Sequence, residues 1–161
     1  MATRGKRWTG QAVVVHSVRT TAVAIASLLV ARLCRLPEAY WAPITALVIT
    51  QSSLGAALTV SRQRLIGTVL GACLGALAAT YFGRHLLVFA VCVFLLGVLC
   101  AITRSSNSAY RFGGVTLAIV VLIPRPGSAW TIAFHRFAEV ALGILVALAF
   151  AYLWPEPDTA N

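Results

Sequence analysis

The chain has 161 residues, of which 60% are hydrophobic and 11% charged. A soluble domain is only about half apolar, so this composition excludes a water-soluble globular class and points to an integral membrane protein. Thirteen Lys and Arg face four Asp and Glu, for a net charge of +9. The basic residues stand singly at the ends of apolar runs, which excludes a nucleic-acid surface and instead sets orientation in a bilayer and attracts anions.

Residues 1–10 are polar, with Arg4, Lys6 and Arg7, and read as a cytoplasmic N-terminal segment. An apolar run over 11–33 follows, read as a retained helix because no small-residue cleavage site accompanies it. His16 and Arg19 lie inside this run, one turn apart. A second helix is predicted over 38–53, with Tyr40 and Trp41 at its mouth, Pro43 interrupting it, and Thr45, Thr50 and Gln51 along it. A third is predicted over 64–82, opened by Arg62 and Arg64. Its Gly67, Gly71 and Gly75, four residues apart, fall on one face, where another helix backbone can approach closely.

A glycine turn at 81–85 leads to a fourth run over 85–103, then a polar loop from Arg104. The fifth run, 109–123, contains Gly113 and Gly114 and stops at a segment rich in proline and glycine. The sixth covers 128–154, and a short tail, read as cytoplasmic, covers 155–161. Six apolar runs with short loops predict an all-α, polytopic bundle of six transmembrane helices over 11–154, neighbours antiparallel. With the N-terminus inside, Arg4, Lys6, Arg7, Arg62, Arg64, Arg104 and Arg111 face the cytoplasm. Arg32, Arg35, Arg84 and Arg125 face the other side, so both termini are expected to be cytoplasmic.

A shift of 72 residues superposes Arg32 on Arg104, Arg64 on Arg136, Gly71 on Gly143 and Ala79 on Ala151, and brings Tyr40 near Phe112. Two three-helix repeats, about 11–83 and 84–154, follow, and an odd number of crossings inverts one relative to the other. Sites in such folds lie at short or broken matching helices, here the second and the fifth.

Ionisable groups inside apolar runs come next, because an Arg at mid-bilayer costs about 2.5–3.5 kcal/mol on insertion scales. Arg19 lies deep in the first run; Arg136 lies two turns into the sixth, with Glu139 at i+3 and His135 four residues before Glu139. One reading is an anion pathway, in which Arg19 and Arg136 supply positive potential and Glu139 or His135 relays a proton. The other is an internal Arg136–Glu139 pair that holds the bundle together. Tyr40, Trp41 and Trp154 fit interfacial anchors; Thr45, Thr50 and Gln51 line a path or bond to neighbouring helices. The glycines, with Gly143, read as packing surfaces. Cys34, Cys73, Cys92 and Cys100 have no metal-ligand spacing and read as small buried hydrophobes. No catalytic constellation, metal site or cofactor signature appears, so an enzyme is not expected.

The run Tyr40, Trp41, Ala42, Pro43, Ile44, Thr45, Ala46 is followed by Gln51, Gly55, Ser61, Arg64, Gly67, Thr68 and Gly71. Together with Arg136, Glu139 and Gly143 it resembles the fusaric acid resistance protein-like family, which overlaps the aromatic acid exporters of bacterial inner membranes. The plant aluminium-activated malate channels look like distant relatives. The resemblance implies a proton-driven or channel-like exporter of small organic anions such as aromatic carboxylates. On that reading Arg19, Arg64, Arg111 and Arg136 attract the carboxylate and Tyr40 and Trp41 contact an aromatic ring. Glu139, His135 and His16 respond to protons. Larger exporters of this kind carry cytoplasmic domains and a second membrane module, whereas seven residues follow Trp154. A second copy is therefore expected to complete the pathway, giving a homo-oligomer in membrane lipid. The alternative is a non-transporting scaffold whose Gly67, Gly71 and Gly75 face binds another membrane protein.

Overall fold

A computed structural model describes residues 10–50, 53–124 and 126–154. They form α1 (Gly10–Leu33), α2 (Trp41–Ile49), α3 (Leu54–Tyr81), α4 (Leu86–Ile102), α5 (Asn107–Leu122) and α6 (Ala129–Leu153), with no strand among the described residues. Serines set three of the starts. Ser53 accepts from the Ala56 N–H, Ser106 from Ala109 and Ser128 from Thr131, each satisfying a donor that the first turn leaves open. The Ser53 cap starts α3 ten residues before Arg64, so Arg62 and Arg64 lie within the helix and not at its mouth.

Helices α1 and α4 stop in the same way. Arg35 and Arg104 take left-handed backbone, with φ of 53° and 50°. The next N–H in each case folds back onto the helix, Leu36 to the Ala31 carbonyl and Ser105 to that of Cys100.

The helices are unequal. The spans Val13–Leu33, Leu54–Tyr81 and Ala129–Leu153 are long and apolar enough to cross a bilayer. With 17 and 16 residues, α4 and α5 reach about 24–26 Å, and α2 with nine reaches only about 14 Å. The second helix therefore does not cross alone as predicted. Pro43 is not the cause: it is the third residue of α2, where a backbone N–H has no intrahelical acceptor to lose. The chain leaves helical geometry at Thr50, whose hydroxyl and N–H both bond to the Ala46 carbonyl.

Helices α3 and α6 pack together at the centre. α5 lies on α3 and α2 on α6, while α1 covers α2 and α6, and α4 covers α5 and α3. Exchanging α1 with α4, α2 with α5 and α3 with α6 leaves this set of packed pairs unchanged. Small residues permit the close approaches. A Cβ on Gly67 would strike the Ala109 carbonyl, and one on Gly71 the Gly113 carbonyl. On the other side, a Cβ on Gly143 would lie 2.7 Å from Thr45 Cβ. The atoms nearest a Cβ on Gly75 belong to the Val120 and Leu117 side chains, at 3.1 Å and beyond, not to backbone. The interior is otherwise filled by Val23, Ala46, Ile49, Val140 and Ile144 in one cluster and Ala72, Ala76, Val120 and Ile132 in another. Large apolar side chains such as Leu29, Leu87, Phe94 and Leu145 point outward, as a lipid-facing surface requires. Cys34 and Cys73 are exposed, unlike Cys92 and Cys100, so only the latter two are buried hydrophobes as expected.

Candidate functional site

Charged groups inside the bundle gather where α2 meets α3 and α6. Arg136 and Glu139 are one turn apart on α6, so their side chains share a face. The Arg136 Nη1 donates to Glu139 Oε2 at 3.1 Å. The other Glu139 oxygen accepts the backbone N–H of Glu38 at 3.1 Å. The Trp41 Nε1–H donates to Glu38 Oε2 at 2.9 Å, and the Arg136 guanidinium sits 3.9 Å from the Trp41 ring centre. These four residues close a ring between the start of α2 and the first half of α6, Glu38 joining it through its backbone N–H on one side and its carboxylate on the other. Its α6 pair is sealed from solvent, Arg136 being 1% and Glu139 0% exposed, while Glu38 is half-buried.

Arg64 on α3 occupies the second half of the site. It is 7% exposed. Its Nε–H donates to Thr45 Oγ1 on α2 at 3.2 Å, and its guanidinium lies 4.8 Å from the Phe112 ring centre on α5. Glu38 and Glu139 are the only carboxylates among the described residues, and both belong to the Arg136 ring. Arg64 thus forms no ion pair among the described residues. A buried cation without a carboxylate generates positive potential in a low-dielectric setting.

The other sequence-predicted residues are dispersed. Arg19 is 2% exposed, one turn from Val23 on the α1 face packed against α2 and α6. Thr45 is fully buried beneath Arg64. Tyr40 is exposed, its ring 5.6 Å from that of Trp41. Arg111 is exposed on α5, facing away while its neighbour Phe112 meets Arg64. His16 and His135 are half-buried, and no hydrogen bond joins His135 to Glu139. His135 instead stands beside Phe134. Gln51 lies outside the described residues. No group of three or more metal-ligating side chains gathers among the described residues.

Glu38 and Phe112 were not singled out by the sequence. Glu38 reads only as the first residue of the predicted second helix, and Phe112 as one aromatic among several. The 72-residue shift did hold the signal for Phe112, since it sets that ring beside Tyr40 and Trp41.

The family description "Fusaric acid resistance protein-like" matches residues 21–150. Among curated proteins of Escherichia coli K12, the chain is 33% identical over 147 residues to the inner membrane protein YeeA, covering 89% of the chain and 41% of YeeA. It is 25% identical over 147 residues to the inner membrane protein YccS, covering 91% of the chain and 20% of YccS. It is 29% identical over 160 residues to YdhK, named an uncharacterized transporter, covering 91% of the chain and 23% of YdhK. The chain thus spans well under half the length of these relatives. No solved structure matches it.

Proposed function

Because the chain belongs to the fusaric acid resistance protein-like family, we propose that it is a transport module for small organic anions, with aromatic carboxylates as the substrate class. The observation that carries this reading is Arg64. Its charge is buried and unmatched by a carboxylate among the described residues, and it stands beside the Phe112 ring. A carboxylate arriving there gains a guanidinium partner, and an aromatic body gains a ring to pack against. The name of YdhK as a transporter is consistent with this reading.

Two inverted three-helix repeats are part of the proposal. The exchange symmetry of the helix pairs supports them. So does a second match: Arg64 meets Phe112 as Arg136 meets Trp41. The halves differ in charge, since position 139 holds a glutamate where position 67 holds glycine. That difference leaves Arg64 available to an anion and occupies Arg136. Glu139 is the proton-responsive group, because its protonation would loosen its hold on Arg136. Cytoplasmic termini and a second copy that completes the pathway belong to the same proposal, the exposed Arg62, Arg104 and Arg111 supporting the first.

The test is flux of aromatic and aliphatic carboxylates into liposomes holding the purified protein, with wild type beside Arg64→Gln. Saturable flux that falls at least tenfold in the variant supports the reading; equal flux from both removes Arg64 from the pathway. A scaffold is the second reading, favoured by the sealed Arg136–Glu139 pair. Absence of flux from folded wild-type protein selects it.

A further inference from the structure

A second polar site lies on the opposite face of α3 from Arg64. The α4–α5 loop stops level with the third turn of α3 and leaves a recess of about 310 Å³ between them. Arg62 and Gln63 line it from α3, and Thr103, Arg104, Ser105 and Ser106 from the loop. Both arginines are exposed and form no ion pair among the described residues. The two carboxylates of the described residues are spent in the Arg136 ring, so none competes here. Thr103 donates its hydroxyl to the Leu99 carbonyl at 2.8 Å and accepts from Ser105 at 2.9 Å, so these two fix the loop, and the Ser106 hydroxyl and the Gln63 amide are the neutral donors at the recess. The first turn of α5 begins at the recess, and although the Ser106 cap takes its Ala109 N–H, the positive end of the helix adds to the potential.

We propose that this recess binds phosphate, and that its occupant is the headgroup of an anionic phospholipid. Two guanidiniums with the Ser106 hydroxyl and the Gln63 amide suit a phosphate diester, whose oxygens accept several hydrogen bonds at once. Placement favours a lipid over a soluble anion. The chain from Arg62 to Tyr81 rises about 29 Å, the thickness of a hydrocarbon core, which sets Arg62 at headgroup level. Leu65 and Val69 on α3 and Leu99 and Ile102 on α4 are exposed beyond the recess, an apolar surface for the acyl chains. Basic pockets between membrane helices hold anionic headgroups in this manner. The site is independent of the anion pathway proposed above.

Native mass spectrometry of the delipidated full chain, titrated with phosphatidylglycerol and with phosphatidylcholine, tests this. Phosphatidylglycerol is expected to bind more tightly, and Arg62→Gln with Arg104→Gln to weaken it roughly 30-fold. Arg32→Gln, an exposed arginine at the end of α1, is expected to leave it unchanged. The double lysine variant, Arg62→Lys with Arg104→Lys, should keep most of the binding, which separates lost charge from lost fold. Equal binding of the two lipids, or an equal loss in Arg32→Gln, overturns the site. Displacement of phosphatidylglycerol by inorganic phosphate at equal concentration overturns the lipid assignment, leaving a site for free phosphate.

Discussion

The guanidinium of Arg136 lies 3.9 Å from the centre of the Trp41 ring. The indole covers a charge that would otherwise face apolar neighbours, while its own N–H is fixed by Glu38. A desolvated cation–π contact contributes about 2 kcal/mol. Trp41→Ala removes that contact, the hydrogen bond and the packing of the ring, and is expected to destabilise the protein by about 3–5 kcal/mol. Trp41→Phe restores the ring without the N–H and should recover more than half of the loss. Thermal melts of both variants in one detergent check the order; equal melting of the two would remove the ring face from the account.

Glycines in the bundle differ sharply in what surrounds them. Gly71 leaves no room for a Cβ, because the Gly113 carbonyl of α5 occupies that space. Gly114, one residue on, has nothing within 4 Å of a built Cβ. Gly71→Ala therefore forces α3 and α5 apart and is expected to cost about 1–3 kcal/mol or more, as overpacking does. Gly114→Ala should be neutral or slightly stabilising, since alanine is the better helix former. Yield of monodisperse protein and its melting temperature read both, and a harmless Gly71→Ala would contradict the α3–α5 contact.

The pair of Arg136 and Glu139 is buried, so each charge depends on the other. Removing one partner leaves the other buried without its ion pair, a loss of about 3–5 kcal/mol. Arg136→Met and Glu139→Met are each expected to destabilise by that amount. The double variant should lose clearly less than their sum, because no orphaned charge remains. Denaturation of the three variants closes the cycle, and strict additivity would show that the two side chains do not act together.

Much of this arrangement was legible in the sequence. Apolar runs gave six helices, and glycines four residues apart marked the α3 face that α5 presses on. Spacing of three residues put Arg136 and Glu139 together. What spacing along one helix does not carry is contact between helices. Glu38 enters the site because α2 docks on Gly143 of α6, bringing a loop residue 101 positions away onto Glu139. Helix ends were hidden for a local reason. The turns after α1 and α4 use arginine in left-handed backbone, where glycine is the usual signal. Those two arginines are 69 residues apart, not 72, so the superposition of Arg32 on Arg104 misaligns the loops while the α3 and α6 arginines keep their spacing.

Orientation in the membrane rests on the loop after α1. Cys34 is exposed there, directly before the left-handed Arg35. Cys73 is also exposed, but within the apolar span of α3, away from a reagent confined to water. Cys92 and Cys100 are buried against neighbouring helices. With the N-terminus inside, one crossing carries Cys34 to the outer face. A membrane-impermeant maleimide is therefore expected to label intact cells expressing the protein, and Cys34→Ser to abolish the label. Labelling that appears only after the inner membrane is opened would reverse the orientation, and with it the leaflet against which Arg62 and Arg104 stand.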